Sequence, residues 1–244
     1  MTTKELTNYV FFDIETVRRT STWEELSLQW QQLWAQKAET FAEFKQGNAS
    51  VKQLYLEKAG IFAEFAKIIC ISLGRLKENP SDGAYGISLV SFSDHDEHSL
   101  LQKVGEALTT CEERNITMLA GHNIKEFDIP FLARRMLIQG VSLPAQLKRL
   151  HNRPKYENKH IDTLELWRFG DYKNYTRLDL IAACLGVSSP KSDINGSQVG
   201  EVYWSQNDLA RIANYCSADV EATIQVTLRL FGQQPIPKEL IERK

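Results

Sequence analysis

The sequence predicts an α/β fold in one domain, and three observations carry that expectation. Short apolar runs rich in β-branched and aromatic residues, near residues 9–16, 68–73 and 87–92, read as strands. Amphipathic segments at 97–113 and about 207–230 read as helices. The two kinds then follow in an order typical of α/β proteins: three strands, a helix, a strand and further helices. No internal repeat or low-complexity linker divides the 244 residues, a length that suits one large domain carrying an insertion.

The first strand holds Asp13 and Glu15 in Tyr9-Val10-Phe11-Phe12-Asp13-Ile14-Glu15-Thr16. Side chains alternate along a strand, so both carboxylates share a face. Two like charges at the end of an apolar strand are unfavourable unless a cation or a proton lies between them, and a metal site is the economical explanation. Residues 20–60 read as a helical insertion. Thr22-Trp23-Glu24-Glu25 resembles a capping box, and Trp23, Leu26, Trp30, Leu33 and Trp34 follow at helical spacing. Their aromatic face is either packing or a lid or partner surface. Gly47-Asn48 breaks that helix, and Ser50 caps a second one through Val51, Leu54 and Tyr55.

Strands at 68–73 and 87–92, joined through the turn residues Pro80-Ser81-Asp82-Gly83, complete an antiparallel meander with the first. A helix at 97–113 buries Leu100, Leu101, Val104 and Leu108, and a short strand at 117–121 leads to His122-Asn123. The next helix starts at Ile129, with Pro130 in its first turn. Thr176 caps a helix that stops at Gly186, residues 187–200 form a loop, and a long helix follows from about 207 to 230. The domain thus extends over 1–232, and 233–244 is a C-terminal tail.

Composition excludes several classes. With 43% hydrophobic and 25% charged residues the chain is an ordinary globular protein, and a formal charge of −2 gives no global nucleic-acid signature. No apolar run approaches the roughly 18–20 residues that span a membrane, and the N-terminus lacks a signal-peptide pattern. Cys70, Cys111, Cys184 and Cys216 form no CxxC pair and read as reduced thiols of a cytoplasmic protein rather than a zinc site.

Two further acids stand out by position. Asp128, in Phe127-Asp128-Ile129-Pro130, lies at a strand-to-helix junction, where it either caps the helix or serves a site. Asp219 lies four residues after Tyr215 in the final helix, so the two share a half-buried face. A structural Tyr–Asp hydrogen bond is the plain alternative. His122 reads as a structural hydrogen-bonding residue.

Asp13-x-Glu15 on a first strand, Asn123 followed by Phe127-Asp128, and Tyr215-x-x-x-Asp219 on a late helix, in that order, resemble the three exonuclease motifs of the DEDD superfamily of 3′–5′ exonucleases. The tyrosine marks the DEDDy branch; the other branch needs a histidine at position 214, which is Asn. The wording around the motifs is most similar to the proofreading domain of family B DNA polymerases, and specifically to the stand-alone group related to it. The likeness extends from residue 9 to about 230 and implies an RNase H-like (DnaQ-like exonuclease) fold, a mixed central sheet with flanking helices and the 20–60 insertion after the first strand. It implies catalytic roles for Asp13, Glu15, Asp128, Tyr215 and Asp219, the four carboxylates holding two ions of Mg²⁺ or Mn²⁺. The physical chemistry agrees: two divalent ions balance four carboxylates, and all-oxygen ligands suit hard cations. Tyr215 is cast as an orienter of the attacking water.

The implied activity is removal of nucleoside 5′-monophosphates from the 3′ end of single-stranded nucleic acid, with DNA favoured. An RNA-trimming exoribonuclease and a non-catalytic end-binding module are the alternatives. By the same resemblance Thr16, Asn123 and Phe127 approach the terminal nucleotides, although Phe127 is equally placed to be core. Lys191 is a candidate phosphate contact, and the basic stretch 148–160 is either a strand track or a solvated loop. Asp162 is expected to cap the helix of Leu164, Leu166 and Trp167.

Overall fold

The computed structural model describes residues 1–150, 158–188 and 193–244. The chain opens with α1 (Thr3–Leu6) and β1 (Tyr9–Arg18), then a helical insertion of α2 (Leu28–Ala38), α3 (Ala42–Lys45) and α4 (Val51–Lys58). The meander continues through β2 (Ala66–Glu78) and β3 (Tyr85–Ser93), followed by α5 (Glu97–Glu113) and β4 (Met118–Gly121). Then come α6 (Asp128–Ile138), α7 (Ala145–Lys148), β5 (Ile161–Asp162), α8 (Thr163–Arg168) and α9 (Leu178–Cys184). The chain closes with α10 (Val199–Glu201), α11 (Leu209–Leu230) and β6 (Ile241–Arg243).

Among the described residues six strands form one mixed sheet in the order β5-β4-β1-β2-β3-β6. β1, β2 and β3 are the expected antiparallel meander, while β4 and β5 run parallel to β1 on its other side. β1 is therefore central, and its alternation sorts two cores. Val10, Phe12 and Ile14 pack against α5 and α6 through Leu100, Val104, Ile129 and Leu132. Phe11 and Val17 face the opposite layer, which α11 covers with Ile212, Val220 and Ile224. Asp13 and Glu15, being odd-numbered, face α11 as well.

Gly74 on β2 lets α11 lie this close. A Cβ there would stand 2.6 Å from Val220 Cγ1 and 2.8 Å from Ile224 Cδ1, closer than packed carbons approach. On the other layer, a buried ion pair locks α6 to α5. Arg135 pairs through Nη2 with Glu97, donates from Nε to Glu97 Oε1 at 2.8 Å, and donates from Nη1 to the Ala63 carbonyl at 2.8 Å. Glu97 also accepts the Ile68 N–H at 2.7 Å and the Gln139 side-chain amide at 2.6 Å. One carboxylate thus joins two helices and β2, and its lone pairs are matched as a buried charge requires.

The insertion packs on itself and on the start of β2. Trp34 is fully buried among Leu54, Tyr55, Phe62 and Phe65, with its indole N–H donating to the Val51 carbonyl at 3.0 Å. That is the packing reading of the tryptophans, and Leu33 departs from it by pointing outward at 40% exposure. Ser50 caps α4 in a reciprocal capping box with Gln53, as expected. Thr22 does not cap: the Glu25 carboxylate accepts the Ser21 N–H instead, and only a 3₁₀ turn forms at Trp23–Glu25. Thr176 does not cap either. Its carbonyl accepts a hydrogen bond from His122, and α9 begins after Arg177 without a side-chain cap. The expected tail at 233–244 returns to the sheet as β6, parallel to β3; with Ile241 its one apolar residue, the strand is too short to show alternation.

Breaking the buried pair on one side leaves an uncompensated charge. Arg135→Leu is expected to lower unfolding free energy by about 3–5 kcal/mol, read as a shift of the urea midpoint at unchanged slope.

Candidate active site

An open cleft of about 790 Å³ lies beyond the carboxyl end of β4 and over the middle of β1, the side of a parallel arrangement where ligands characteristically bind. β1 pairs with β4 only from Tyr9 to Phe11, because β4 ends at Gly121. The chain must turn there at once. A Cβ on Gly121 would meet the Phe12 carbonyl oxygen at 2.8 Å, so glycine permits the crossing. Beyond the last residue that pairs with β4, the Asp128 carboxylate accepts the Ile14 N–H at 3.2 Å. That bond ties the head of α6 to the middle of β1.

Asp128 is the first residue of α6, following Phe127, so it is not the helix cap. Asp162 is a cap, accepting the Leu164 N–H at 3.0 Å, and it also accepts the N–H groups of Asn123 at 2.9 Å and Lys125 at 3.1 Å. With its oxygens occupied by the backbone, Asp162 shapes the turn after β4. Asn123 sits in that turn at a left-handed φ of 60°, which asparagine tolerates better than most residues. His122 bonds the Thr163 hydroxyl at 2.9 Å and the Thr176 carbonyl at 3.1 Å. Burial lowers its pKa to about 4, so it is a neutral structural group.

Asp13, Glu15, Asp128, Tyr215 and Asp219 all line the cleft. One carboxylate oxygen each of Asp13 and Glu15 and the Cys216 sulfur lie within 4.8 Å of one another. Asp13 Oδ2 is buried with no hydrogen-bond partner, which an anionic oxygen tolerates only beside a proton or a cation. Burial is the first cause of a raised pKa at every one of these acids. Asp128 and then Asp219 push Asp13 further up; Asp13 and Asp219 do the same to Glu15. Asp128 is raised to about 7, its bond from Ile14 working against burial, and Asp219 to about 6, the Tyr215 hydroxyl working against burial. Oxygen donors, net negative charge and an unpartnered buried oxygen fit hard divalent cations. Cys216 does not fit as a ligand. Burial and Cys70 push its thiol well up, and its sulfur donates to the Asp13 carbonyl at 3.4 Å.

Tyr215 and Asp219 share the expected half-buried face of α11, one helical turn apart. Burial, then Asp219 and Glu15, raise the phenol far above its ordinary range. Asn123 and Phe127 line the cleft, and the Phe127 ring also lies tilted against Phe131 with centroids 5.3 Å apart, partly buried against the core of α5 and α6. Thr16 does not reach the cleft. It faces the other side of β1, with its hydroxyl donating to the Gly60 carbonyl at 2.7 Å. Lys191 and residues 151–157 of the basic stretch lie outside the described residues. Sequence reasoning missed the outer wall, formed by Tyr175, Arg177 and Asp179 ahead of and within α9 and by residues 193–198. An aromatic beside a cation in Asn174-Tyr175-Thr176-Arg177 was the available signal. Gly196 belongs to the same wall; a Cβ there would lie 3.9 Å from the Tyr215 hydroxyl.

Fold and site together define a mixed α/β protein with an acidic cleft lined by Asp13, Glu15, Asp128 and Asp219. The chain belongs to the family described as a predicted 3′–5′ exonuclease related to the exonuclease domain of PolB, whose model matches residues 61–234. That span includes Asp128, Tyr215 and Asp219, while β1 with Asp13 and Glu15 precedes it. The structure is similar to that of the family B DNA polymerase from the hyperthermophilic archaeon Pyrobaculum calidifontis, with a TM-score of 0.54 and 16% identity over 93% of this chain. The chain spans 26% of that polymerase's length. No curated protein sequence matches it. Among the described residues no helix is long and apolar enough to cross a membrane.

A group whose folded pKa is raised stabilises fully below its unfolded value and loses that contribution as pH rises through the folded one. His122 and His160, both lowered to about 4, act with opposite sign over the same range, so the acids must be read by difference. Asp128→Asn keeps an oxygen acceptor for Ile14. In EDTA its melting temperature is expected to match wild type near pH 4 and to exceed it by several degrees above pH 7, with Mg²⁺ closing the gap. Equal melting at pH 8 in EDTA would contradict the assignment.

Proposed function

We propose that the chain hydrolyses single-stranded nucleic acid, DNA by preference, from the 3′ end to nucleoside 5′-monophosphates. Asp13, Glu15, Asp128 and Asp219 hold two Mg²⁺ or Mn²⁺ ions on this reading. The unpartnered buried Asp13 oxygen among Asp128, Asp219 and Glu15 is the observation that carries it. When bound, such ions neutralise the carboxylates, lower the pKa of water and stabilise charge on the phosphoryl oxygens.

The protein's own groups have separate roles. Burial holds the Tyr215 phenol above its ordinary range, so its role is to orient the attacking water by hydrogen bonding rather than to take its proton. Asp219 lies one helical turn from Tyr215 on the same face of α11. Asn123 and Phe127, on the rim beside Asp128, position the terminal nucleotide, Asn123 as a polar contact and Phe127 as an apolar one. Residues 1–232 act as a single exonuclease domain, with 20–60 serving as packing, and the 233–244 segment adds β6 to the sheet edge. The free thiols at Cys70 and Cys216 suit a reducing, cytoplasmic setting.

Asp13→Ala, Asp128→Ala and Asp219→Ala are each expected to reduce degradation of a 5′-labelled single-stranded oligonucleotide at least ~10³-fold, with folding retained by circular dichroism. Tyr215→Phe is expected to slow turnover roughly 10²-fold without weakening metal binding. Side-by-side digestion of single-stranded DNA, duplex DNA and RNA reads the preference. Faster RNA cleavage would replace DNA by RNA, and undiminished activity in EDTA would overturn the metal-dependent mechanism.

A further inference from the structure

The cleft itself repels its proposed substrate. Asp13, Glu15, Asp128, Asp179, Asp193 and Asp219 line it, and Arg177 is the one lysine or arginine among the described lining residues. Even with two divalent ions bound, attraction for a polyanion beyond the scissile phosphate has to come from neighbouring surface.

The segment between α8 and α9 has the required character. Phe169 is 91% exposed, Tyr172 72% and Tyr175 59%. Three aromatic rings within seven residues of one loop depart from the scattered single exposures normal for a protein surface. The backbone helps to present the first of them. Phe169 ends α8 in the left-handed region at φ 45° and Gly170 follows at φ 90°, so the ring points outward rather than back into the helix. Cations alternate with the rings: Arg168, Lys173 and Arg177, against Asp171. The Arg168 guanidinium carbon lies 5.7 Å from the Tyr172 ring centre, and Asp171 turns the loop by accepting the Lys173 N–H at 3.0 Å. Arg177 forms an exposed ion pair with Asp179 at 2.9 Å, a contact weak enough for a phosphate to displace.

The loop is continuous with the cleft. Tyr175 and Arg177 belong to the cleft wall, and the Tyr175 ring packs edge-on against His122 with centroids 6.0 Å apart. We propose that loop 168–177 is a stacking platform for the single strand upstream of the scissile bond, with bases on Phe169 and Tyr172 and phosphates on Arg168, Lys173 and Arg177. This rests on the exonuclease reading above and adds where the rest of the strand lies. Stacking on rings is tolerant of sequence, because every base has a π-face. The platform therefore favours unpaired strands long enough to reach it and gives little base preference.

The test compares two substrates in the full chain. Hydrolysis of the p-nitrophenyl ester of thymidine 5′-monophosphate engages the cleft alone. Binding of a fluorescent oligothymidylate of about twelve nucleotides, measured by anisotropy with Ca²⁺ replacing Mg²⁺, engages the loop as well. Phe169→Ala and Tyr172→Ala are each expected to weaken oligonucleotide binding about tenfold and to leave ester hydrolysis unchanged. Phe169→Trp, which retains a flat ring, is expected to bind as wild type, and Phe169→Leu to bind as Phe169→Ala. Unaltered oligonucleotide affinity in the Phe169→Ala/Tyr172→Ala double variant, with the ester still cleaved, would overturn the platform. No hydrolysis by the wild-type chain in Mg²⁺ of either the ester or the oligonucleotide would instead overturn the exonuclease reading beneath it.

Discussion

Four carboxylates have to be gathered in a partly buried place against their own repulsion, and the architecture is arranged around that demand. β1 supplies two of them because it is the central strand, held between hydrogen-bonded neighbours and between two helical layers. The third arrives on α6, whose position depends on the bond from Ile14 to Asp128 at one end and on the Arg135–Glu97 pair further along. The fourth arrives on α11, which can lie over β1 and β2 because Gly74 leaves room. Each attachment is local and of ordinary strength. Together they fix an arrangement that is unfavourable while all four groups are charged, as the raised pKa values of Asp13, Glu15, Asp128 and Asp219 show.

That unfavourable arrangement also divides the labour across the surface. The cleft is acidic and the substrate proposed for it is an anion, so catalysis and retention fall to different residues. On the proposed reading the carboxylates and Tyr215 attend to one phosphodiester bond, and the aromatic and basic loop ahead of α9 holds the strand that carries it. Neutral groups fill the space between. His122 stays uncharged beside the carboxylates, and the thiol of Cys216 stays protonated beneath Asp13.

Much of this was legible in the sequence, and the failures have identifiable physical causes. The alternation that put Asp13 and Glu15 on one face also puts Thr16 on the other, so its assignment to the substrate conflicted with the same rule that found the pair. The meander, α5, α11, the Ser50 cap and the stop at Gly186 were readable because each is encoded locally, by periodicity, a capping residue or a left-handed glycine. β5 and β6, of two and three residues, are defined by partners distant in sequence and carry no period of their own. Thr22 and Thr176 matched capping patterns whose hydrogen bonds the folded chain gives to other groups. Two acids at similar junctions, Asp128 and Asp162, divided into a cleft residue and a cap for a reason invisible in one dimension: β1 runs on past its pairing with β4, and Asp128 accepts the Ile14 N–H there. The outer wall of the cleft was missed because loops make contacts that no local pattern announces.

The central claim is that these four carboxylates form a site for two divalent ions. Counting Mn²⁺ bound per chain by electron paramagnetic resonance tests it most directly, since free and bound ions give separable signals without any turnover. The account predicts two ions bound per wild-type chain near neutral pH, and fewer than two at the same free concentration in Asp13→Asn, the residue whose buried oxygen has no other partner. No bound Mn²⁺ in the wild type, or full occupancy in the variant, would contradict it.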